Sequence, residues 1–167
     1  MADRGLSAAR AALRAVGDEA PLTTTLLAAS ALLSALSSLP SATVLDVGAG
    51  TGALAAVAQR AGARALGLER DPALVAAGRA HRPLVELVVG EAPRDLPAGP
   101  FAIVVANLTD PPLRDLVPAL VRLAGAELIV TGVRLWQGPA LRRALERAGA
   151  RPSAFSADGW CGYRAAR

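Results

Sequence analysis

The segment with the clearest chemical signature runs from Val44 to Gly52 and reads VLDVGAGTG. Gly48, Gly50 and Gly52 recur at every second position, where they allow a tight turn and let a ligand approach main-chain N–H groups that a side chain would shield. Because a run of good helix formers follows at once, these N–H groups lie at a helix N-terminus, which carries partial positive charge. The segment therefore predicts a binding site for a nucleotide-like cofactor.

The glycine spacing alone leaves two cofactors open. Gly48 to Ala53 satisfies the relaxed dinucleotide pattern G-x-G-x-x-[G/A], so NAD fits it. Asp46, two residues before the first glycine, suits a cationic ligand better than a pyrophosphate. With this acid the segment resembles the first motif of the class I S-adenosylmethionine-dependent methyltransferases, in which the glycine turn lies along the methionine end of the cofactor. The resemblance implies S-adenosylmethionine as the cofactor.

Two more acids follow strands predicted later in the chain. Glu69 lies 23 residues after Asp46 at the end of the second predicted strand, where an acid accepts hydrogen bonds from both ribose hydroxyls of a nucleotide. Glu91 follows the third predicted strand, where related methyltransferases often place an acid against the adenine amino group. The predicted cofactor-binding residues are Asp46, Gly48, Ala49, Gly50, Gly52, Glu69, Arg70, Glu91 and Asn107.

Polar residues after the fourth predicted strand mark the place where the methyl group and its acceptor would meet. Asn107 ends that strand and could accept a hydrogen bond from an attacking amine, whose proton Asp110 could take. These two are the predicted catalytic residues. An asparagine that serves only the strand-to-helix turn is the alternative. Asp110 begins an Asp-Pro-Pro-Leu sequence, which differs from the Asp/Asn-Pro-Pro-aromatic motif of amino-methylating enzymes because it comes three residues late and lacks the aromatic residue.

Four other side chains with possible chemistry have simpler interpretations. His81, the sole histidine, is expected at a helix end on the opposite rim of the sheet, which argues against a role as general base. Trp136 follows the fifth predicted strand and is expected to line an acceptor pocket. Trp160 and Cys161 are expected to be buried in the core. No metal site is predicted.

The scaffold that must position these residues is an alternation of apolar strands and amphipathic helices. Strands are predicted at 43–47, 63–69, 85–89, 101–107, 127–133, 151–156 and 159–165, and helices at 7–16, 52–60, 72–81, 112–123 and 139–148. This alternation predicts a doubly wound, Rossmann-like α/β fold. Only Ala157 and Asp158 separate the last two strands, so that pair must be antiparallel. The methyltransferase resemblance implies a seven-stranded sheet with the C-terminal hairpin strand inserted antiparallel.

The segment before the first strand carries no charge from Ala20 to Leu45, with arginines upstream, and so superficially resembles a secretory signal or a membrane span. Recurring serines and threonines and the flanking prolines, Pro21 and Pro40, argue against both, and a buried helix of about fifteen residues is expected instead. We expect a single methyltransferase domain over 1–167, in which residues 1–38 form a helical lid over the cofactor cleft and residues 42–167 form the cofactor-binding core.

The composition and charge of the chain limit the classes of partner that it is expected to bind. The chain has 167 residues, of which 53% are hydrophobic, enough for one core. All 18 basic residues are arginine and the net charge is +4, but they are scattered, so neither nucleic acid nor a membrane is favoured as partner. One cysteine excludes an intramolecular disulfide and fits the cytoplasm. The oligomeric state is not readable.

Several segments taken together resemble a narrower family. They are Thr24-Thr25 before a long apolar helix, the segment 44–48, Val105-Ala106-Asn107-Leu108 with Pro112-Leu113 and Leu116, and Gly159-Trp160-Cys161. They resemble the catalytic domain of the bacterial methyltransferase that modifies amino groups of a large-subunit stalk ribosomal protein. Two features differ, since the N-terminal domain that this family uses to hold its protein substrate is missing and the loop before Thr24 lacks the usual histidine. The resemblance therefore implies the cofactor and leaves the acceptor open.

The function expected from the sequence is transfer of a methyl group from S-adenosylmethionine to an amine or hydroxyl of a small molecule, a peptide or a protein side chain. A protein that binds this cofactor without methyl transfer, as a sensor or for another sulfonium reaction, is the first alternative. An NAD-dependent reductase is the second, and Asp46 and the C-terminal hairpin disfavour it.

Overall fold

The computed structural model describes residues 2–166. Its helices and strands alternate as the sequence predicts. In chain order they are α1 (Ala2–Ala15), α2 (Thr23–Ser38), β1 (Thr43–Val47), α3 (Ala53–Arg60), β2 (Arg64–Glu69), α4 (Pro72–His81), β3 (Glu86–Val89), β4 (Phe101–Asn107), α5 (Pro112–Leu123), β5 (Ala124–Arg134), α6 (Gly138–Arg147), β6 (Arg151–Ala157) and β7 (Trp160–Ala166).

The seven strands form one sheet with the order β3-β2-β1-β4-β5-β7-β6. β1 to β5 are parallel, and β7 lies antiparallel between β5 and β6. The predicted fold class, including the inserted antiparallel strand, is confirmed. Strand order reverses between β1 and β4, so the carboxyl ends of these two strands flank the position where ligands bind in such sheets.

Helices cover both faces of the sheet, which explains why the central strands are apolar without alternation. Val44 belongs to a core with residues of α1, α2, α3 and α4 on one face, while the next residue, Leu45, belongs to a core with residues of α5 and α6 on the other. Residues Ile103 to Ala106 of β4 are all fully buried. The two cores fix β1 and β4, and these strands carry the polar residues of the candidate site.

The charge-free segment forms the expected buried helix, because nine of the 16 residues of α2 are buried against β4, β5 and β7. α1 packs on α2 and buries Ala9 and Leu13 completely. Within residues 2–166, no helix is both long enough and apolar enough to cross a membrane. No residue of α1 or α2 lines the cleft described below. Their role as a lid stays a prediction.

The region around β5 differs from the prediction. β5 begins at Ala124 because that residue pairs with Phe101 of β4, and it continues to Arg134, which pairs with Trp160 of β7. A short 3-10 helix over Leu135–Gln137 then leads into α6. The sequence pattern did not predict either extension, since both depend on partners from distant parts of the chain.

Candidate cofactor and transfer site

The glycine turn is built where β1 ends and α3 begins. Gly48, Gly50 and Gly52 all have positive φ, at 75°, 56° and 83°. A Cβ at Gly48 would overlap the Leu108 side chain, whereas one at Gly50 would meet no atom within 4 Å. The turn therefore packs closely against Leu108 at its first glycine and faces open space at its second, where a ligand can approach the backbone.

The end of β2 holds the turn in place. The backbone N–H groups of Gly48 and Ala49 donate to the carbonyl of Leu68 at 2.8 and 3.1 Å. The Glu69 carboxylate, which is nearly buried, accepts from the N–H of Gly50 and from that of Asp71, both at 2.9 Å. A carboxylate has roughly four lone-pair sites, so each oxygen of Glu69 can still accept a hydrogen bond from a ligand.

Asp46 is the most unusual group near the turn. It is 1% exposed, and neither carboxylate oxygen has a hydrogen-bond partner among the described residues. Burial raises the pKa of this carboxyl to about 7; the nearby backbone N–H of Ala55 opposes the rise without reaching hydrogen-bond geometry, and the charge of Glu69 adds to it. An unpaired buried carboxylate is costly, and a cationic ligand group close by would offset that cost.

A cleft of about 380 Å³ opens beside the turn at the carboxyl edge of the sheet. Its size suits a small-molecule ligand. Four predicted residues line it, namely Gly48, Glu69, Arg70 and Glu91. The Glu91 side chain is more than half exposed, and its carboxylate forms a long ion pair with Arg94, at 3.9 Å, so a ligand can still reach it.

Sequence reasoning missed most of the apolar lining of this cleft. The other lining residues are Val47, Leu68, Gly90, Ala92, Pro93, Leu108, Thr109, Pro112, Asp115 and Leu116. All of them lie at the carboxyl ends of β1, β2, β3 and β4 or in the segments that follow, so strand-end position is the signal that could have identified them. Apart from Thr109 and Asp115, they form apolar walls around Glu69 and Glu91.

Asn107 lies next to the cleft at the end of β4 but does not line it. Its Nδ2 atom donates to the hydroxyl of Thr25 in α2 at 3.3 Å, and its Oδ1 atom accepts from the hydroxyl of Thr131 in β5 at 3.0 Å. Thr131 is fully buried. The amide thus joins α2 to β4 and β5 and keeps one N–H and one lone pair for a substrate.

Asp110 is already engaged by protein groups. One carboxylate oxygen forms a very short ion pair with Nε of Arg114, and the other accepts a long hydrogen bond, 3.4 Å, from Nε2 of Gln137. Its side chain is 11% exposed. Each oxygen of Asp110 therefore has one protein partner and keeps a lone pair that could accept a proton. Its catalytic role, like that of Asn107, stays a prediction.

The remaining side chains fall into clear environments. His81 is exposed at the end of α4 and its Nδ1 atom contacts the carbonyl of Ala77 at 2.7 Å. Trp136 is 79% exposed in the 3-10 helix after β5. Trp160, expected in the core, is only half-buried, and the guanidinium of Arg134 lies 3.8 Å from the centre of its ring. Cys161 is buried, and burial raises the pKa of its thiol.

These features fit a ligand with a nucleoside-like half and a cationic half. The cleft between Glu69 and Glu91 offers acceptors for hydroxyl and amino groups between apolar walls. Neither Gly50 nor Asp46 lines this cleft, but the turn at Gly50 is open and the unpaired Asp46 favours positive charge nearby. A pyrophosphate would place two negative charges near Asp46 and Glu69, so a dinucleotide fits less well.

The sheet order and the inserted antiparallel β7 are those of the class I S-adenosylmethionine-dependent methyltransferase fold. Magnesium protoporphyrin IX methyltransferase from Synechocystis PCC 6803, solved with bound SAM, shares this fold with a TM-score of 0.68 at 18% identity, over 98% of this chain and 97% of that one. The chain belongs to the ribosomal protein L11 methyltransferase (PrmA) family, whose family model matches residues 22–167.

Two relatives define the extent of the similarity. The L11 methyltransferase of Thermus thermophilus is 36% identical over an alignment of 130 residues. This alignment covers 72% of this chain and 50% of that protein. The crystal structure of the ribosomal protein L11 methylase from Lactobacillus delbrueckii subsp. bulgaricus superposes with a TM-score of 0.76 at 27% identity, covering 86% of this chain and 78% of that one. The chain thus spans about half the length of the Thermus relative.

Proposed function

We propose that this chain is an S-adenosylmethionine-dependent methyltransferase whose acceptor is an amino group of a protein. The observation that carries the proposal is the buried, unpaired carboxylate of Asp46 beside an open glycine turn. Family membership supports the reaction, and the names of the relatives point to ribosomal protein L11 as the first acceptor to test.

Each residue of the site has a defined task in this proposal. Glu69 accepts the ribose hydroxyls, Glu91 accepts the adenine amino group, and Arg70 lies at the rim of the cleft. Gly48, Ala49, Gly50 and Gly52 form the backbone surface for the amino-acid half of the cofactor, with Asp46 beneath it. When bound, the cofactor supplies a methyl group on a positively charged sulfur, which is a good leaving group.

The chain's contribution to transfer is then mainly orientation. The acceptor amine must be neutral and must face the methyl group from the side opposite the sulfur. Asn107 holds the amine through the free lone pair of its Oδ1 atom, and the proton passes to solvent or to Asp110.

A second candidate is a protein that binds the same cofactor without transferring a methyl group. The positions of Asn107 and Asp110 favour it, because neither of these predicted catalytic residues lines the cleft. The two candidates share the cofactor and differ only in turnover.

Calorimetric titration with S-adenosylmethionine, its demethylated product and NAD tests the cofactor. We expect micromolar binding of the first two, about 8 kcal/mol, and none of NAD. Gly50→Val should abolish binding, since the added side chain occupies open ligand space. Incubation with purified ribosomal protein L11, followed by mass spectrometry that counts added methyl groups, then separates the two candidates. Binding without methylation of L11 or of peptides bearing free amines would favour the second.

A further inference from the structure

Arg82 reaches the glycine turn from a helix whose residues do not line the cleft. It is the residue that follows α4, and its Nη1 atom lies 3.2 Å from both the carbonyl oxygen and the hydroxyl oxygen of Thr51. Thr51 comes directly after Gly50 in the turn. One guanidinium nitrogen therefore contacts the two acceptors of the residue next to the open glycine.

The close approach of α4 to the turn depends on a missing side chain. A Cβ at Gly78 would lie 2.7 Å from the carbonyl oxygen of Thr51, so the helix can rest against the turn only because residue 78 is glycine. The Nε atom of Arg82 is buried and has no hydrogen-bond partner among residues 2–166. Burying part of a guanidinium costs free energy, so a residue that only filled space here would be better apolar.

The turn is consequently held at two adjacent residues by opposite charges. The carboxylate of Glu69 accepts from the N–H of Gly50, and the guanidinium of Arg82 donates to Thr51. We propose that Arg82 is a positioning residue that keeps the glycine turn in the shape required by the amino-acid half of S-adenosylmethionine. This inference rests on the proposed function for the identity of the ligand. It requires no contact between Arg82 and the ligand.

Two ligands separate positioning of the turn from general stabilisation. The demethylated product S-adenosylhomocysteine has both a nucleoside half and an amino-acid half, whereas methylthioadenosine lacks the amino-acid half. Both would be titrated calorimetrically into the wild type, Arg82→Met and Arg82→Lys. Arg82→Met is expected to weaken S-adenosylhomocysteine about tenfold, the scale of a hydrogen bond to a charged group. Its affinity for methylthioadenosine should change by less than roughly threefold, and Arg82→Lys should recover part of the loss.

Arg79→Met is the matched control on the same helix. The Nη2 atom of Arg79 donates to the carbonyl of Leu87 in β3 at 2.6 Å, away from the two acceptors of Thr51 that Arg82 contacts. This variant is expected to lower the melting temperature while leaving the ratio of the two affinities unchanged. Thr51→Val removes the hydroxyl acceptor and retains Arg82, so it provides the same test if Arg82→Met does not fold. This variant is expected to lower the affinity for S-adenosylhomocysteine a few-fold and to leave the affinity for methylthioadenosine unchanged.

Equal losses for both ligands, or no loss for either, would overturn the role of Arg82 while leaving the proposed function in place. A wild type that binds neither ligand would overturn the proposed function, and the role of Arg82 with it.

Discussion

The hydroxyl of Thr131 donates to the Oδ1 atom of Asn107 at 3.0 Å, from a position with no solvent exposure. This bond, together with the one from Asn107 to Thr25, sets the amide across the end of β4. Asn107 therefore has a structural role in addition to the one proposed for it at the transfer site. A substitution at this position should reveal both.

Asn107→Ala is expected to reduce turnover per folded molecule by about two orders of magnitude, the scale of losing one positioned polar group. It should also lower the free energy of unfolding by about 1–3 kcal/mol, because the buried hydroxyl of Thr131 loses its partner. Methylation rate and thermal melting measure the two effects. Thr131→Val, which removes the hydroxyl and keeps the amide, should lower stability as well but reduce turnover less than Asn107→Ala does. A full rate per folded molecule in Asn107→Ala would show that the residue serves only the turn.

Glu69→Ala is expected to weaken binding of S-adenosylhomocysteine by roughly 2 kcal/mol, since the ribose hydroxyls lose their acceptor. The variant also frees the N–H groups of Gly50 and Asp71, so a modest loss of stability should accompany it. Calorimetric titration measures the affinity. Glu86→Ala removes an exposed acid from β3 outside the cleft and should bind as the wild type does. Unchanged affinity in Glu69→Ala would refute the ribose assignment.

Asp46→Asn is expected to raise stability at high pH. The pKa of Asp46 rises from 3.8 to about 7 on folding, so the native state holds a proton that the unfolded state has lost between these values. The contribution of Asp46 to the free energy of unfolding of the wild type is greatest below about pH 3.8. It falls as the pH rises to about 7, by up to about 4 kcal/mol in all. The variant lacks this dependence and should be the more stable protein at pH 8, with the difference vanishing near pH 4.

Chemical denaturation at several pH values tests this expectation, with the exposed Glu19→Gln as the control. The same titration affects the ligand, because only the ionised carboxylate attracts a cation. Wild-type affinity for S-adenosylmethionine should therefore increase between pH 6 and 8 and stay flat in Asp46→Asn. Parallel pH profiles of the two proteins would contradict the role of this carboxyl.

The main expected role of the N-terminal helices α1 and α2 is to stabilise the fold, and their role as a lid is a separate prediction. Leu13 of α1 is fully buried in the core, so Leu13→Ala should lower the free energy of unfolding by about 2–5 kcal/mol. Leu22, at 72% exposure, provides a control substitution to alanine with little effect. Deletion of residues 1–16 tests the lid role at a temperature where the shortened protein stays folded. Cofactor retention and turnover equal to those of the full chain would exclude that role.

The sequence predicts those elements whose ends are marked locally. The helices over Pro72–His81 and Pro112–Leu123 agree at both ends, because proline suits the first helical turn and α-helical periodicity defines the rest. β4 also agrees, since a continuous apolar run ends at a polar residue, Asn107. By contrast, β5 is longer than its own residues indicate, because pairing with β4 and β7 extends it.

The candidate site divides in the same way. The glycine turn, Asp46 and the strand-end acids follow from motif spacing, which encodes backbone geometry. The contacts of Asp110 with Arg114 and Gln137, and those of Arg82 with Thr51, join residues between four and 31 positions apart through long side chains. Contacts between long side chains leave no periodic pattern in a sequence, so these residue pairs can be identified only from the three-dimensional structure.

The insertion of β7 between β5 and β6 links sheet completion to the order of synthesis. Residues 43–134 can align as five parallel strands while the chain is still emerging from the ribosome, but β6 gains its ladder only after residues 160–166 follow. Until then the long edge of β5 remains open, and an open edge is a template for pairing with another chain. A chain truncated before residue 160 is therefore expected to aggregate.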